Sequence, residues 1–278
     1  MRPPKPHLQD PRNYIRAIEA SKPYLEARSQ EPNNRTLAIG KTATRIVESK
    51  LARSEHLDIH TQAIHVIGKL GPFVEANRQL DDLRQRKESG GQIRHDEKSP
   101  LLDEVAEYNH VLHEMIDSNP QLTPGQILDF IAKSQLTISS VEDAKYAVAR
   151  TREVITGMKQ EIAVESALYQ IEGVEDIERG SVEEDRRGID LKCTFYGEPL
   201  KIDAKSSQRG VDSAIAKARS NGYEPDKLVT WSGINSSEFG ESFRPSDEQL
   251  ERISAKLESD IRNYIHRGSN QRALHSVG

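Results

Sequence analysis

Residues 188–205 read GIDLKCTFYGEPLKIDAK, and the way this stretch pairs with itself decides the fold. Ile189, Leu191, Cys193 and Phe195 alternate with Asp190, Lys192 and Thr194; Leu200, Ile202 and Ala204 alternate with Lys201, Asp203 and Lys205. Side chains of a strand point to opposite faces in turn, so each half carries one apolar and one polar face. Tyr196-Gly197-Glu198-Pro199 lies between them and reads as the turn, with glycine supplying backbone freedom. The apolar residues are odd-numbered in the first half and even-numbered in the second, so the two apolar faces coincide only when paired residue numbers add to an odd sum. A turn over 196–199 pairs Phe195 with Leu200, Cys193 with Ile202 and Leu191 with Ala204. That register sets Asp190 opposite Lys205, with Asp203 on the diagonal, separations of roughly 5–8 Å. Burying the apolar face thus gathers two carboxylates and one ammonium on the other, and a slip of one residue scatters them. The same alternation also reads as a solvated charged face with a cross-strand ion pair.

The flanking segments add elements around this hairpin. Upstream, Val141, Ala144, Ala147, Val148, Val154, Ile155, Met158, Ile162 and Leu168 recur with helical spacing as far as Ile171, with Gly157 a weak point. At about 100° per residue, Val154, Met158, Glu161 and Leu168 point the same way and Glu165 lies close by. A carboxylate inside an apolar stripe is costly unless it is paired or binds a metal, so Glu161 is either a salt-bridge partner or a ligand. GVEDIERG (173–180) has strand character, GVDSAIAKARS (210–220) reads as a short helix, KLVTWSG (227–233) as a strand, and 246–265 as a charged helix. The first half is helical throughout. Helices fall at 11–28, interrupted by Pro23, at 35–53, at 57–87 with a break at Gly71-Pro72, and then at 100–117 and 123–134. A charged, glycine-containing linker is predicted at 87–99. The fold class is therefore α+β: a helical region over 1–139 followed by a mixed α/β domain over 140–278.

Composition narrows the function classes. Of 278 residues, 35% are hydrophobic and 30% charged, the net charge is −5 and the pI is about 6.0. A dedicated nucleic-acid-binding domain often has a pI above roughly 9, so any such binding must use a local basic surface. Cys193 is the single cysteine, which excludes an internal disulfide framework and a cysteine-based zinc site and suits a reducing, cytoplasmic setting. No run of ~18 apolar residues predicts a membrane span, and MRPPKPHLQDPRNY has no secretory pattern. Gly40-Lys41-Thr42 lacks the preceding glycine and strand of a phosphate loop. His56, His60 and His65, and His110 and His113, have one-face spacing but no accompanying acid motif, so surface or core roles suit them better than zinc. Cys193 falls on the apolar hairpin face. Trp231 closes a predicted strand, where packing is the common role and stacking on a base the rarer one.

An acid-bearing helix, a hairpin with Asp190, then Asp203-Ala204-Lys205, a helix and a strand follow one another in a familiar order. Over residues 151–235 the chain resembles the PD-(D/E)XK, or restriction-endonuclease-like, nuclease superfamily. The matching residues are Glu161 in GMKQEIAVESAL (157–168), Asp190 in Gly-Ile-Asp-Leu, and Asp203 and Lys205. The resemblance implies a restriction-endonuclease-like core in which Asp190 and Asp203 ligate a divalent metal, the Ala204 carbonyl adds a ligand, and Glu161 completes or tunes the shell. It implies that Lys205 orients or helps deprotonate the attacking water, and that Ser207 or Gln208 contacts phosphate or water. The metal implied is Mg²⁺, with Mn²⁺ able to substitute, and the reaction is phosphodiester hydrolysis, foremost in DNA. Magnesium prefers oxygen ligands and substrate phosphates, polarises the phosphoryl group and acidifies bound water; a nearby lysine suits proton transfer. Gly188-Ile189 stands where the family name places proline, and Glu165 competes with Glu161 as the helix acid. The alternatives are an inactive nucleic-acid-binding module of the same fold, or a helical scaffold protein. The N-terminal helices offer a surface for a homodimer or a protein partner.

Overall fold

In the computed structural model the described residues are 8–31, 34–54, 56–220 and 226–275. The chain divides into two units, 1–154 and 155–278. The first holds α1 (Pro11–Ala20), α2 (Lys22–Gln30), α3 (Arg35–Leu51), α4 (Ile59–Glu88), α5 (His95–Ser118), α6 (Pro124–Ile138) and the start of α7 (Val141–Leu168). Polar residues set where these helices begin. Asp10, Asn34 and Asp58 each accept a first-turn amide N–H, and Thr123 and Gln126 cap each other reciprocally, satisfying N–H groups that a helix start leaves unpaired. Ser21 separates α1 from α2 and leaves Pro23 in the first turn of α2, where its missing N–H costs little.

Two expectations fail here for packing reasons. Helix α4 does not break at Gly71-Pro72 but runs through it. A side chain at Gly71 would meet Thr36 Cγ2 at 2.3 Å, and one at Gly68 would meet Ala43 Cβ at 2.6 Å. These glycines let α3 and α4 approach closely, while Leu70, Phe73 and Val74 are buried around Pro72. Tertiary packing outweighs the helix penalty of glycine and proline. Nor is 87–99 a flexible linker. The turn after α4 is tied by an Arg86–Glu97 ion pair at 2.7 Å and by the Arg94 amide donating to Glu97 Oε2 at 2.9 Å, and α5 has begun by His95. Phe73 and Tyr108 stack at 4.0 Å between centroids, and the Tyr108 hydroxyl pairs with Thr151 Oγ1 at 3.0 Å.

In the second unit α7 leads into β1 (Val174–Arg179), α8 (Val182–Arg186), β2 (Leu191–Phe195), β3 (Glu198–Ala204), α9 (Gln208–Ser220), β4 (Leu228–Thr230) and, after a 3₁₀ turn at Ser236–Phe239, α10 (Asp247–His275). The strands form one mixed sheet in the order β1-β2-β3-β4, with β4 parallel to β3 and the other pairings antiparallel. A parallel neighbour needs a crossover, and α9 supplies it. The fold is thus α+β, a helical first part followed by a single mixed sheet among the described residues. One apolar cluster unites Val164, Ala167 and Leu168 of α7, Leu191, Cys193 and Phe195 of β2, Leu200, Ile202 and Ala204 of β3, and Ile253, Leu257 and Ile261 of α10. None of the described helices is long and apolar enough to cross a membrane.

The hairpin register differs from the expectation. Leu191 pairs with Ile202, Cys193 with Leu200 and Phe195 with Glu198, a shift of two residues. The turn is the two-residue pair Tyr196-Gly197, with φ of 48° and 81°, not the four residues 196–199. Two-residue turns with positive φ match the twist of the strands they join. Because the shift is two, the paired numbers still add to an odd sum and the apolar faces still coincide. What changes is the polar face: the register brings Asp190 abreast of Asp203, and Lys205 is no longer its opposite number.

Candidate functional site

The polar face is assembled where the β2–β3 ladder ends. The Asp190 N–H donates to the Ile202 carbonyl at 2.9 Å, and Asp190 Oδ2 accepts the Ala204 N–H at 2.6 Å. The acid before β2 is thereby fixed beside the backbone between Asp203 and Lys205. Asp203 sits in β3 with only 4% of its surface exposed, a costly place for a carboxylate without compensation. Compensation comes from two lysines. The Lys205 ammonium lies against Asp203 Oδ1, and Lys227 Nζ is 3.7 Å from Oδ2. The Lys205 contact is an ion pair outside hydrogen-bonding geometry, because Oδ1 has no hydrogen-bond partner. Lys205 itself is held by its backbone, whose N–H donates to the Thr230 carbonyl of β4 at 2.7 Å.

Lys227 and Gly188 escaped the sequence reading. Lys227 Nζ donates to the Arg187 carbonyl while facing Asp203, and Gly188 turns beneath them with φ of 69°. A Cβ at Gly188 would lie 2.8 Å from Lys227 Nζ and 3.2 Å from Asp203 Oδ2, so glycine suits both the conformation and the space. The one legible signal was the glycine before Asp190. The lysine's partner depends on the parallel pairing of Asp203 with Val229, which no local pattern encodes.

The helix acids are distributed differently. Glu165 is engaged by Arg179 of β1, whose Nε donates at 3.0 Å. Glu161 is part-buried on α7, one turn from the buried Met158 and Val164. Among the described residues no three Asp, Glu, His or Cys side chains are grouped to hold a metal ion. The structure brings Asp190, Asp203, Ala204 and Lys205 together but does not gather Glu161 into a trio with the two aspartates.

The α7 neighbours of Glu161 anchor the chain beyond β4. Gln160 Nε2 donates to the Ile234 carbonyl at 2.8 Å and its Oε1 accepts the Ser232 N–H at 3.2 Å. Lys159 Nζ donates to the Gly240 carbonyl at 3.0 Å, and burial pulls its pKa down from the usual lysine range. Past Lys205, the Ser207 hydroxyl accepts the Gly210 N–H at 3.3 Å, and Gln208 Oε1 accepts Trp231 Nε1–H at 2.8 Å.

The discounted signals take structural roles. Gly40 and Thr42 are buried in the middle of α3. His60 Nδ1 pairs with the Tyr14 hydroxyl at 2.9 Å, and His110 Nε2 lies 3.4 Å from Glu114. Cys193 is in the core, where burial raises its thiol pKa to about 11.

Chemically, the site offers two carboxylates side by side at the end of the β2–β3 ladder, one of them buried and flanked by two ammonium groups. Compared with known proteins, the chain matches no family model, no curated protein and no solved structure.

Proposed function

We propose that residues 155–278 form a metal-dependent nuclease domain of the PD-(D/E)XK, restriction-endonuclease-like type, hydrolysing phosphodiester bonds in DNA. The observation that carries this reading is Asp203: a buried carboxylate with the Lys205 ammonium against Oδ1 and Lys227 Nζ near Oδ2, abreast of Asp190. The element order α7-β1-α8-β2-β3-α9-β4 supports it.

The donor set fits a hard divalent cation. Two carboxylates are enough, because magnesium characteristically keeps several waters and substrate phosphate oxygens beside one or two protein carboxylates. Asp190, Asp203 and the Ala204 carbonyl would hold Mg²⁺, or Mn²⁺ in its place, with Glu161 tuning the shell. When bound, the ion supplies charge neutralisation at the phosphoryl oxygens and a more acidic water. Lys205 Nζ orients the attacking water and assists removal of its proton. Lys227 and the Ala204 N–H hold Asp203 and Asp190 in place before substrate arrives, which spares reorganisation during the reaction.

The test is cleavage of linear duplex, circular duplex and single-stranded DNA, and of RNA, with Mg²⁺ or Mn²⁺. Lys205→Ala and Asp203→Asn are expected to lower cleavage by about 100-fold or more while circular dichroism stays native. Wild-type protein inert on every substrate would defeat the proposal. A second reading is a nucleic-acid-binding module of the same fold without turnover; its signature is binding without cleavage in the same assays.

A further inference from the structure

Trp231 is the single tryptophan of the chain, and its surroundings differ from those of a core aromatic. It follows Thr230 directly as Lys205 follows Ala204, and Ala204 pairs with Thr230 in parallel register. Paired residues of neighbouring strands share a face, and alternation carries the next residue to the other one. Lys205 and Trp231 therefore lie on the Asp203 face, adjacent to one another. Trp231 is only part-buried, and among the described residues no aromatic ring or cation stacks on it.

The ring is nevertheless held. Its Nε1–H donates to Gln208 Oε1 at 2.8 Å, and Gln208 Nε2 in turn donates to Asp212 Oδ1 at 2.8 Å. On the backbone side, the Thr230 carbonyl receives the Lys205 N–H, and the Ser232 N–H is bound by the buried Gln160. A part-exposed indole fixed at its edge and at both flanking residues is preorganised, so a ligand stacking on it avoids much of the ordering cost. Arg209, exposed in the first turn of α9, adds a positive charge one residue from Gln208.

We infer that Trp231 is a base-stacking platform beside Lys205, and that the site takes nucleic acid as a single strand or as a locally unpaired nucleotide. A base inside a duplex has both faces covered by its neighbours, whereas an unpaired base can lie flat on an indole, and such stacking tolerates any base. The inference rests on the nuclease reading for the role of Lys205 next to it, but its test does not depend on cleavage. It names Trp231 as specificity-determining and Gln208 as the residue that positions it.

The experiment uses the full chain in EDTA and reads the fluorescence of its one tryptophan during titration with oligothymidylate, then with a blunt duplex of equal length. Binding is followed independently by anisotropy of the labelled strands. Oligothymidylate is expected to quench Trp231 as it binds, and the duplex to bind more weakly and quench little. Trp231→Ala is expected to weaken single-strand binding about tenfold or more, with Trp231→Phe intermediate and Gln208→Ala reducing the quench while the ring remains. The inference is overturned if oligothymidylate does not bind, if it binds without quenching, if the duplex quenches equally, or if folded Trp231→Phe and Trp231→Ala both bind like wild type. If quenching is seen and no substrate is cut, the nuclease reading fails and the stacking platform stands; cleavage without quenching gives the reverse.

Discussion

The Asp190 carboxylate accepts a 2.6 Å hydrogen bond from the Ala204 amide, so an acid at the foot of β2 finishes the ladder that backbone pairing leaves at Leu191 and Ile202. One side chain thus performs two tasks, a structural one through its acceptor oxygen and a proposed one through its charge, and substitution can separate them. Asn keeps an acceptor and removes the charge; Ala removes both. Asp190→Asn is expected to unfold in urea close to wild type and to lose any rise in melting temperature produced by Mn²⁺. Asp190→Ala should lose about 1–3 kcal/mol, the cost of a buried donor left without its acceptor. Equal stability of the Ala variant and wild type would mean that the 2.6 Å bond does not hold the strand end.

Gly188 is the second position where geometry and charge meet. Its φ of 69° is strained for any residue with a side chain, and its missing Cβ leaves space for Lys227 Nζ and Asp203 Oδ2. Gly188→Ala is expected to cost about 1–2 kcal/mol. Part of that is conformational and part is displacement of the Lys227 tip. Adding Lys227→Ala should relieve the steric part, so the double variant is less destabilised than the sum of the two single ones. Strict additivity in urea denaturation would show that Lys227 and Gly188 do not interact.

The apolar half of the hairpin was fully legible in the sequence. Leu191, Cys193, Phe195, Leu200, Ile202 and Ala204 all enter the core, because alternation states which face is buried. Register was not legible to the same degree. A pattern of period two cannot distinguish registers that differ by two, and the choice fell to Tyr196-Gly197, where a tyrosine adopts the positive φ that asparagine or glycine usually takes. That is why Asp190, Asp203 and Lys205 were correctly placed on one face yet wrongly paired. Glu161 illustrates a different limit: a helical wheel gives its direction but not how far it is covered, and it is part-buried. Lys227 lay beyond reach because it meets Asp203 only through the α9 crossover. In the helical unit, Gly71-Pro72 reads as a break by propensity, and the close approach of Thr36 that sustains the helix is a contact between segments distant in sequence.

Cys193 ties the core to pH. Burial raises its thiol pKa from 9.0 to about 11. Between those values the unfolded chain releases the proton while the folded chain keeps it, so the folded state binds more protons and stability falls as pH rises. This contribution is whole below about 9 and is lost progressively toward about 11. Other groups titrate in the same range, so the comparison is with Cys193→Ala, whose urea midpoint should fall less between pH of about 8 and about 10. A disulfide reagent should likewise modify native Cys193 slowly and unfolded chain quickly. Rapid modification of the native protein would contradict the burial.

Glu161 and Glu165 lie one helical turn apart on α7, Glu161 the helix acid that the sequence points to and Glu165 its competitor. Glu165 is held by Arg179, with side-chain exposures of 19% and 30%, and its charge is spent on that pairing across to β1. Glu165→Gln is expected to lower stability by about 1 kcal/mol, since the pair is partly screened, and to leave cleavage and Mn²⁺ affinity near wild type. Glu161→Gln is expected to weaken the Mn²⁺ dependence of cleavage several-fold. The two variants form an internal control, because the Mn²⁺ dependence of cleavage separates them. If Glu165→Gln abolishes cleavage while its stability is unchanged, the assignment of the helix acid must be exchanged and the Arg179 pair read as part of the site.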